Sequence, residues 1–106
     1  MPVIRVEYDN AVVSEANAQA LCRAAQKAVA DVPGIKEVFV YGNASHIKIN
    51  VAPVEVWVEF SAHIIDTNEF SSAIRKNLAD WKQQSEFPHP INLTIIPMQW
   101  KLELGI

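Results

Sequence analysis

The feature that most constrains the fold of this chain is a strand, helix and strand pattern that occurs twice at matched spacing. About 12 residues separate the start of an alternating segment at Pro2 from a helix-capping residue at Ser14, and about 13 separate Val54 from Thr67. The distance from each cap to the next strand pattern is also matched, at about 23 and about 24 residues. Because two parallel strands joined by a helix need a right-handed crossover, the repeat predicts two β-α-β units in one sheet.

The first half contains one clear strand, one clear helix and one ambiguous segment. Residues 2–8 alternate as a half-buried strand does, with Ile4, Val6 and Tyr8 on one face and Arg5 and Glu7 on the other. Ser14 is a favourable N-cap for a helix that Pro33-Gly34 ends. The apolar positions of this helix are Ala20, Leu21, Ala24, Ala28 and Val29. Residues 36–51 are rich in β-forming residues but are interrupted after Tyr41, so they predict either one bent strand or a hairpin.

The second half follows the same order. Val54 to Phe60 alternates without a break, and Thr67-Asn68 is predicted to cap the second helix. The inner stripe of that helix consists of Phe70, Ile74, Leu78 and Trp81. Ile91 to Ile96 is predicted to form a buried strand. A short final strand is expected where Trp100, Leu102 and Leu104 alternate with Lys101 and Glu103.

These patterns predict an α+β domain that spans residues 1–106. A pseudo-repeat of 2–51 and 54–97 would form a four-stranded mixed sheet with two helices on one face, and 98–104 would supply a C-terminal interface strand. The uncovered face would carry Arg5, Glu7, Glu55, Trp57 and Glu59. We expect Arg5 to pair with a glutamate there, because opposite charges on neighbouring strands attract.

The composition excludes several classes of protein. A net charge of −3, a pI near 5.5 and nine scattered basic residues argue against nucleic acid as a partner, since phosphate binding needs clustered lysine and arginine. The single cysteine, Cys22, cannot form an internal disulfide, has no metal-binding spacing around it and is expected to be a small core residue. No segment is apolar enough to span a membrane, and we expect the protein to be cytoplasmic.

A proline directly after Met1, opening a strand in a two-fold repeated chain, resembles the tautomerase superfamily, which includes 4-oxalocrotonate tautomerase and macrophage migration inhibitory factor. The resemblance is strongest at Pro2-Val3-Ile4, at 52–57 and at 95–99. The last two segments are most similar to uncharacterised bacterial members. The resemblance implies a trimer in which the terminal strand crosses to a neighbour. It also implies keto–enol tautomerisation or isomerisation without a metal or an organic cofactor.

Pro2 is the candidate catalytic residue. Once Met1 is removed, Pro2 has a secondary amine, and a free α-amino group has a pKa of about 7.7–8.0. Burial lowers the pKa of an amine and leaves it neutral, so that it can act as a general base. The alternative interpretation is that Pro2 only starts a strand.

Three residues are predicted near Pro2 from the topology. A parallel second strand would begin beside Pro2 and bring Lys36, and an antiparallel third strand would end there and bring Ser61 and His63. Lys36 is the candidate for binding a substrate carboxylate, and His63 for moving a proton or hydrogen-bonding an enolate. The alternatives are a solvated lysine and a structural histidine. The helical arginines, Arg23 and Arg75, supply no obvious clamp for a dicarboxylate.

Three functions remain open at this level. The first is a cofactor-independent tautomerase or isomerase that acts on a small enolisable keto acid with Pro2 as base. The second is a non-catalytic trimer that binds a small molecule or a partner. The third is a regulatory domain of ferredoxin-like type, which also repeats β-α-β but needs no N-terminal proline.

Overall fold

A computed structural model describes residues 2–61, 66–99 and 103–106 of the chain. The elements in chain order are β1 (Val3–Tyr8), α1 (Glu15–Ala30), β2 (Phe39–Ala44), β3 (Val54–Ser61), α2 (Thr67–Ser85) and β4 (Asn92–Met98). The strands form one sheet in the order β2-β1-β3-β4. β1 runs parallel to β2 and antiparallel to β3, and β3 runs parallel to β4. The predicted fold of two β-α-β units in one four-stranded mixed sheet is therefore confirmed.

Both helices pack on one face of the sheet and enclose the core. The buried strand residues of that face are Ile4, Val6, Val54, Val56, Val58 and Phe60. Leu21 and Val29 of α1 and Phe70 and Ile74 of α2 pack against them. The rings of Phe60 and Phe70 lie 4.2 Å apart between centroids, so the start of α2 is fixed over the end of β3.

The start of α1 agrees with the prediction. The Ser14 side chain accepts a 3.1 Å hydrogen bond from the backbone N–H of Asn17, as an N-cap does. Ala20, which the spacing places on the apolar face, is instead exposed. It lies a quarter-turn from Leu21, and the stripe that contacts the sheet is narrower than the run of alanines.

The predicted cap of α2 was displaced by one residue. Asp66 is the N-cap, and its carboxylate accepts a 3.0 Å hydrogen bond from the N–H of Glu69. Thr67 is the first residue of the helix rather than its cap. Phe70, Ile74 and Leu78 of the predicted stripe are buried, and Trp81 is half-buried.

The segment 36–51 forms neither a long bent strand nor a hairpin. Only Phe39–Ala44 is a strand, and the chain after it is irregular as far as β3. Two contacts hold this connection to the end of β1: Ser45 N–H donates to Tyr8 O at 2.8 Å, and Lys48 Nζ lies 2.7 Å from Asp9 Oδ1. β2 ends where its partner ends, since Ala44 pairs with Tyr8, the last residue of β1, and Ile47 beyond it is 79% exposed.

The uncovered face of the sheet carries the predicted charged residues. Arg5 forms an ion pair with Glu59 at 2.6 Å, which confirms the expected pairing of Arg5 with a glutamate. Asn92 Nδ2 donates a 3.0 Å hydrogen bond to Glu55 Oε1 on the neighbouring strand. These polar contacts cross between neighbouring strands of the sheet.

The C-terminal part of the chain departs from expectation in one respect. β4 is half-exposed rather than buried, because it is an edge strand whose side chains the helices cover only in part. Trp100, Lys101 and Leu102 of the expected final strand lie outside the described residues. Residues 103–106 are exposed and in no helix or strand. Neither helix, as described, is long and apolar enough to cross a membrane.

Candidate active site

Pro2 lies immediately before β1, where a residue without a backbone N–H is well suited. Its side chain is less than 2% exposed. Its carbonyl accepts a 3.2 Å hydrogen bond from the N–H of Phe39, the first residue of β2. The sequence-predicted position of Pro2, beside the start of the second strand, is therefore observed.

The register of the sheet identifies the residues next to Pro2. Val3 pairs with Phe39 on one side and with Glu59 on the other. One residue earlier, these registers place Pro2 between Val38 and Phe60. Since side chains alternate along a strand, Pro2 shares the helix-covered face with Ile4, and its ring lies in apolar surroundings.

Ser61 is the last residue of β3 and lies at the same end of the sheet as Pro2. Its side chain is buried, with 5% of the residue exposed. Alternation along β3 puts Ser61 on the face of Glu59, opposite to that of Phe60. Pro2 and Ser61 therefore lie at the same end of the sheet but on opposite faces of it.

Lys36 lies in the irregular segment before β2 and is exposed. It is two residues from Val38, so its Cα lies within about 7 Å of that residue by chain geometry. Both the proximity of Lys36 to Pro2 and its role as an anion binder stay predictions. His63 lies outside the described residues, and its role stays a prediction as well.

The charged residues considered at this end of the sheet are the ion pair of Arg5 with Glu59 and the exposed Lys36. The guanidinium of Arg5 is engaged by Glu59, which pairs in register with Val3. Arg23 and Arg75 lie on α1 and α2, as the sequence indicates. Lys36 lies three residues before β2 and takes part in none of the ion pairs between described residues.

Phe39 is a candidate site residue that the sequence reasoning missed. It lies opposite Val3 on the uncovered face and is 39% exposed, although its backbone is bonded to Pro2. The signal that identifies it is the alternation of Phe39 and Tyr41 with Val38 and Val40, combined with the parallel register of β2. The half-exposed aromatic ring of Phe39 lies at the same end of the sheet as Pro2 but on the opposite face, where it offers an apolar surface to a small planar molecule.

This edge of the sheet can perform acid–base chemistry on one condition, which is that the nitrogen of Pro2 is a free amine. Burial in apolar surroundings generally disfavours the charged form of an amine. A neutral amine at pH 7 can accept a proton from an acidic C–H or O–H group and return it elsewhere on the same molecule.

Comparisons with known proteins identify the fold. No protein-family profile matches the chain, and no curated protein matches it in sequence. Among solved structures, a fused 4-OT in a symmetric trimer superposes with a TM-score of 0.71 at 16% identity, covering 98% of this chain and 94% of that one. The FG41 malonate semialdehyde decarboxylase inhibited by 3-bromopropiolate superposes with a TM-score of 0.67 at 14% identity, covering 98% and 91%.

A third similar structure is the macrophage migration inhibitory factor-like protein of Entamoeba histolytica, with a TM-score of 0.57 at 13% identity over 96% of this chain and 93% of that one. At these identities the similarity establishes the fold and not the activity. All three structures belong to the tautomerase superfamily. The chain therefore has the tautomerase-superfamily fold that its repeat and its Met-Pro opening predicted.

Proposed function

We propose that the protein is a cofactor-independent tautomerase or isomerase that acts on a small enolisable keto acid. The observation that carries the proposal is the burial of Pro2 at the junction of β1, β2 and β3. There the carbonyl of Pro2 accepts a hydrogen bond from the N–H of Phe39. In our proposal, removal of Met1 frees an amine at Pro2, and burial of that amine favours its neutral form. The fold is one that it shares with 4-OT and malonate semialdehyde decarboxylase structures.

In the proposed reaction, the nitrogen of Pro2 accepts the proton of the enol hydroxyl while the carbonyl forms. The same proton, or one from solvent, then passes from the amine to the carbon that was part of the C=C bond. The bonding electrons move within the substrate, so that nothing is oxidised or reduced. Lys36 binds the substrate carboxylate, and Ser61 and His63 contact the oxygen on which negative charge develops.

We further propose that three copies assemble as a homotrimer. β2 and β4 are the edge strands of the sheet that the described residues form, and assembly around a three-fold axis removes such edges. The fused 4-OT structure is a symmetric trimer. In our proposal residues 98–104 form the strand that crosses to the neighbouring copy.

The test compares two forms of the same chain. Protein without Met1 and protein that retains Met1 have identical side chains from residue 2 onwards, but only the first has a free amine at Pro2. With phenylpyruvate and 2-hydroxymuconate as substrates, we expect turnover from the first form and, because a positioned base contributes about 100-fold or more, at least that loss in the second. Intact mass establishes which form is present.

Pro2→Ala in the Met1-free form is the second comparison. This variant keeps an N-terminal amine, but the amine is primary and is no longer held in a rigid ring. Its activity should therefore fall between those of the two forms. Equal activity with and without Met1 contradicts the proposal, as does retention of Met1 in protein isolated from its own cell.

A non-catalytic trimer is the second candidate function. The observation that favours it is the ion pair between Arg5 and Glu59, which occupies the arginine nearest to the Pro2 edge of β1. This function predicts binding of small acids without turnover by Met1-free protein. Sedimentation then tests the trimer independently of activity.

A further inference from the structure

A concave site lies between α2 and β4, apart from Pro2. Its volume is about 580 Å³, which is within the range of small-molecule sites. Leu78 of α2 and Ile91, Leu93 and Ile95 of the β4 region form its apolar lining. Leu93 and Ile95 point toward the helices by their register with Val56 and Val58, yet both are half-exposed. The cleft is thus a gap in the helical cover of the edge strand.

Two cations line this cleft from the same side of α2. Arg75 and Lys82 are seven residues apart, which is about two helical turns or roughly 10 Å along the axis, and Leu78 lies between them. Ser71 adds a hydroxyl group one turn before Arg75. An anionic group can therefore be reached by a cation at either end of an apolar strip.

The charge of the cleft is not neutralised by the described part of the protein. No carboxylate is among the residues that line it, and neither Arg75 nor Lys82 takes part in an ion pair between described residues. Lys76, on another face of the same helix, pairs with Asp80 at 2.9 Å. The cleft is thus locally positive in a chain whose net charge is −3.

We propose that this cleft binds an amphiphilic organic acid, with the apolar chain or ring on Leu78, Leu93 and Ile95 and the carboxylate on Arg75 or Lys82. Burial of the apolar part supplies the affinity, and the cations supply the preference for an acid over a neutral molecule. The site is separate from Pro2, because β3 lies between β4 and β1, and β1 and β4 are therefore about 10 Å apart. The proposal does not depend on the function of Pro2.

The test is an NMR titration of the amide resonances of the full chain with octanoate and, separately, with 1-octanol. We expect octanoate to shift the amides of α2 and β4 in a saturable way. It should bind about tenfold more tightly than 1-octanol, as one charge-assisted hydrogen bond provides. Lys82→Gln and Arg75→Gln should each weaken octanoate binding about three- to tenfold, since both cations are partly solvated. Lys76→Gln is the matched control on the same helix and should not change the affinity.

Four results would overturn the proposal. Octanoate produces no saturable shifts in α2 and β4, or 1-octanol binds as tightly as octanoate. Alternatively, Lys76→Gln weakens binding as much as Lys82→Gln, or the shifts centre on the amides next to Pro2. If a second copy of the chain fills the cleft, octanoate produces no saturable shifts, and Lys82→Gln sediments differently from the wild-type protein. Binding that survives in Pro2→Ala protein supports a site independent of the proposed catalysis.

Discussion

The backbone N–H of Phe39 donates a 3.2 Å hydrogen bond to the carbonyl oxygen of Pro2. This hydrogen bond joins Pro2, the proposed base, to the first residue of the edge strand β2. The position of Pro2 therefore depends on a backbone group of another element and not only on its own strand.

Phe39→Pro removes the donor of this hydrogen bond, whereas Phe39→Ala keeps it. Because a small misplacement of a catalytic group costs about 100-fold in rate, we expect Phe39→Pro to lose turnover on that scale and Phe39→Ala to lose much less. The measurement is kcat/KM of Met1-free protein, with circular dichroism to establish that both variants fold. Similar rates for the two variants would show that the bond does not position Pro2.

Gly42 allows α1 to approach β2 closely. A Cβ atom at Gly42 would lie 2.9 Å from Cys22 Sγ, which is too short for a non-bonded contact. We expect Gly42→Ala to lower the free energy of unfolding by about 1 kcal/mol, and Cys22→Ala to remove most of that cost in the double variant. Urea denaturation of the four proteins measures this coupling, and an equal cost of Gly42→Ala in both backgrounds argues against it.

The cap of α2 gives a test that separates neighbouring residues. Asp66→Ala should lower the free energy of unfolding by about 1 kcal/mol, because it leaves the N–H of Glu69 without its acceptor. Asn68→Ala, two residues along, changes no described hydrogen bond and serves as the control. Chemical denaturation of both variants is sufficient, and a larger effect at Asn68 would be inconsistent with Asp66 as the cap.

Lys48 and Asp9 join the connection after β2 to the end of β1. The hydrogen bond from Lys48, followed by that from the N–H of Ala11, holds the pKa of Asp9 below its ordinary value of 3.8. A lowered carboxyl pKa contributes stability that is present above this value and is lost as the pH falls through the pKa of the folded state. Lys48→Met should therefore raise the pKa of Asp9, while Lys27→Met, which removes a pair with Asp31, should not.

An NMR titration of the Asp9 carboxyl carbon measures both variants. The stability difference between the wild-type protein and Lys48→Met should shrink as the pH falls below 3.8. An unchanged Asp9 pKa in Lys48→Met would refute the role of this pair.

Several features of the fold follow from local sequence. Alternation between Val54 and Phe60 predicts a strand with one buried face, and the register with β1 confirms it. The cap at Ser14 is predictable because no competing cap residue stands beside it. At the second helix, Asp66, Thr67 and Asn68 are all cap-forming residues in sequence, and only the backbone conformation of Asp66 decides among them.

Other features depend on contacts between distant segments. Ile47 and Ile49 have strand-like spacing, but they lie outside β2 because no neighbouring strand is there to pair with them. At the candidate site, strand direction was enough to place Ser61 and the start of β2 at the same end of the sheet as Pro2. The orientation of Lys36 was not predictable, because Lys36 lies in an irregular segment where no alternation assigns a side chain to a face.

The most direct test of the central claim is the pKa of the Pro2 nitrogen in Met1-free protein, measured by NMR titration of proline-labelled chain. Our account predicts a pKa clearly below the reference of about 7.7–8.0, because the ring of Pro2 is buried in apolar surroundings. A pKa at or above that reference would contradict the assignment of Pro2 as the general base.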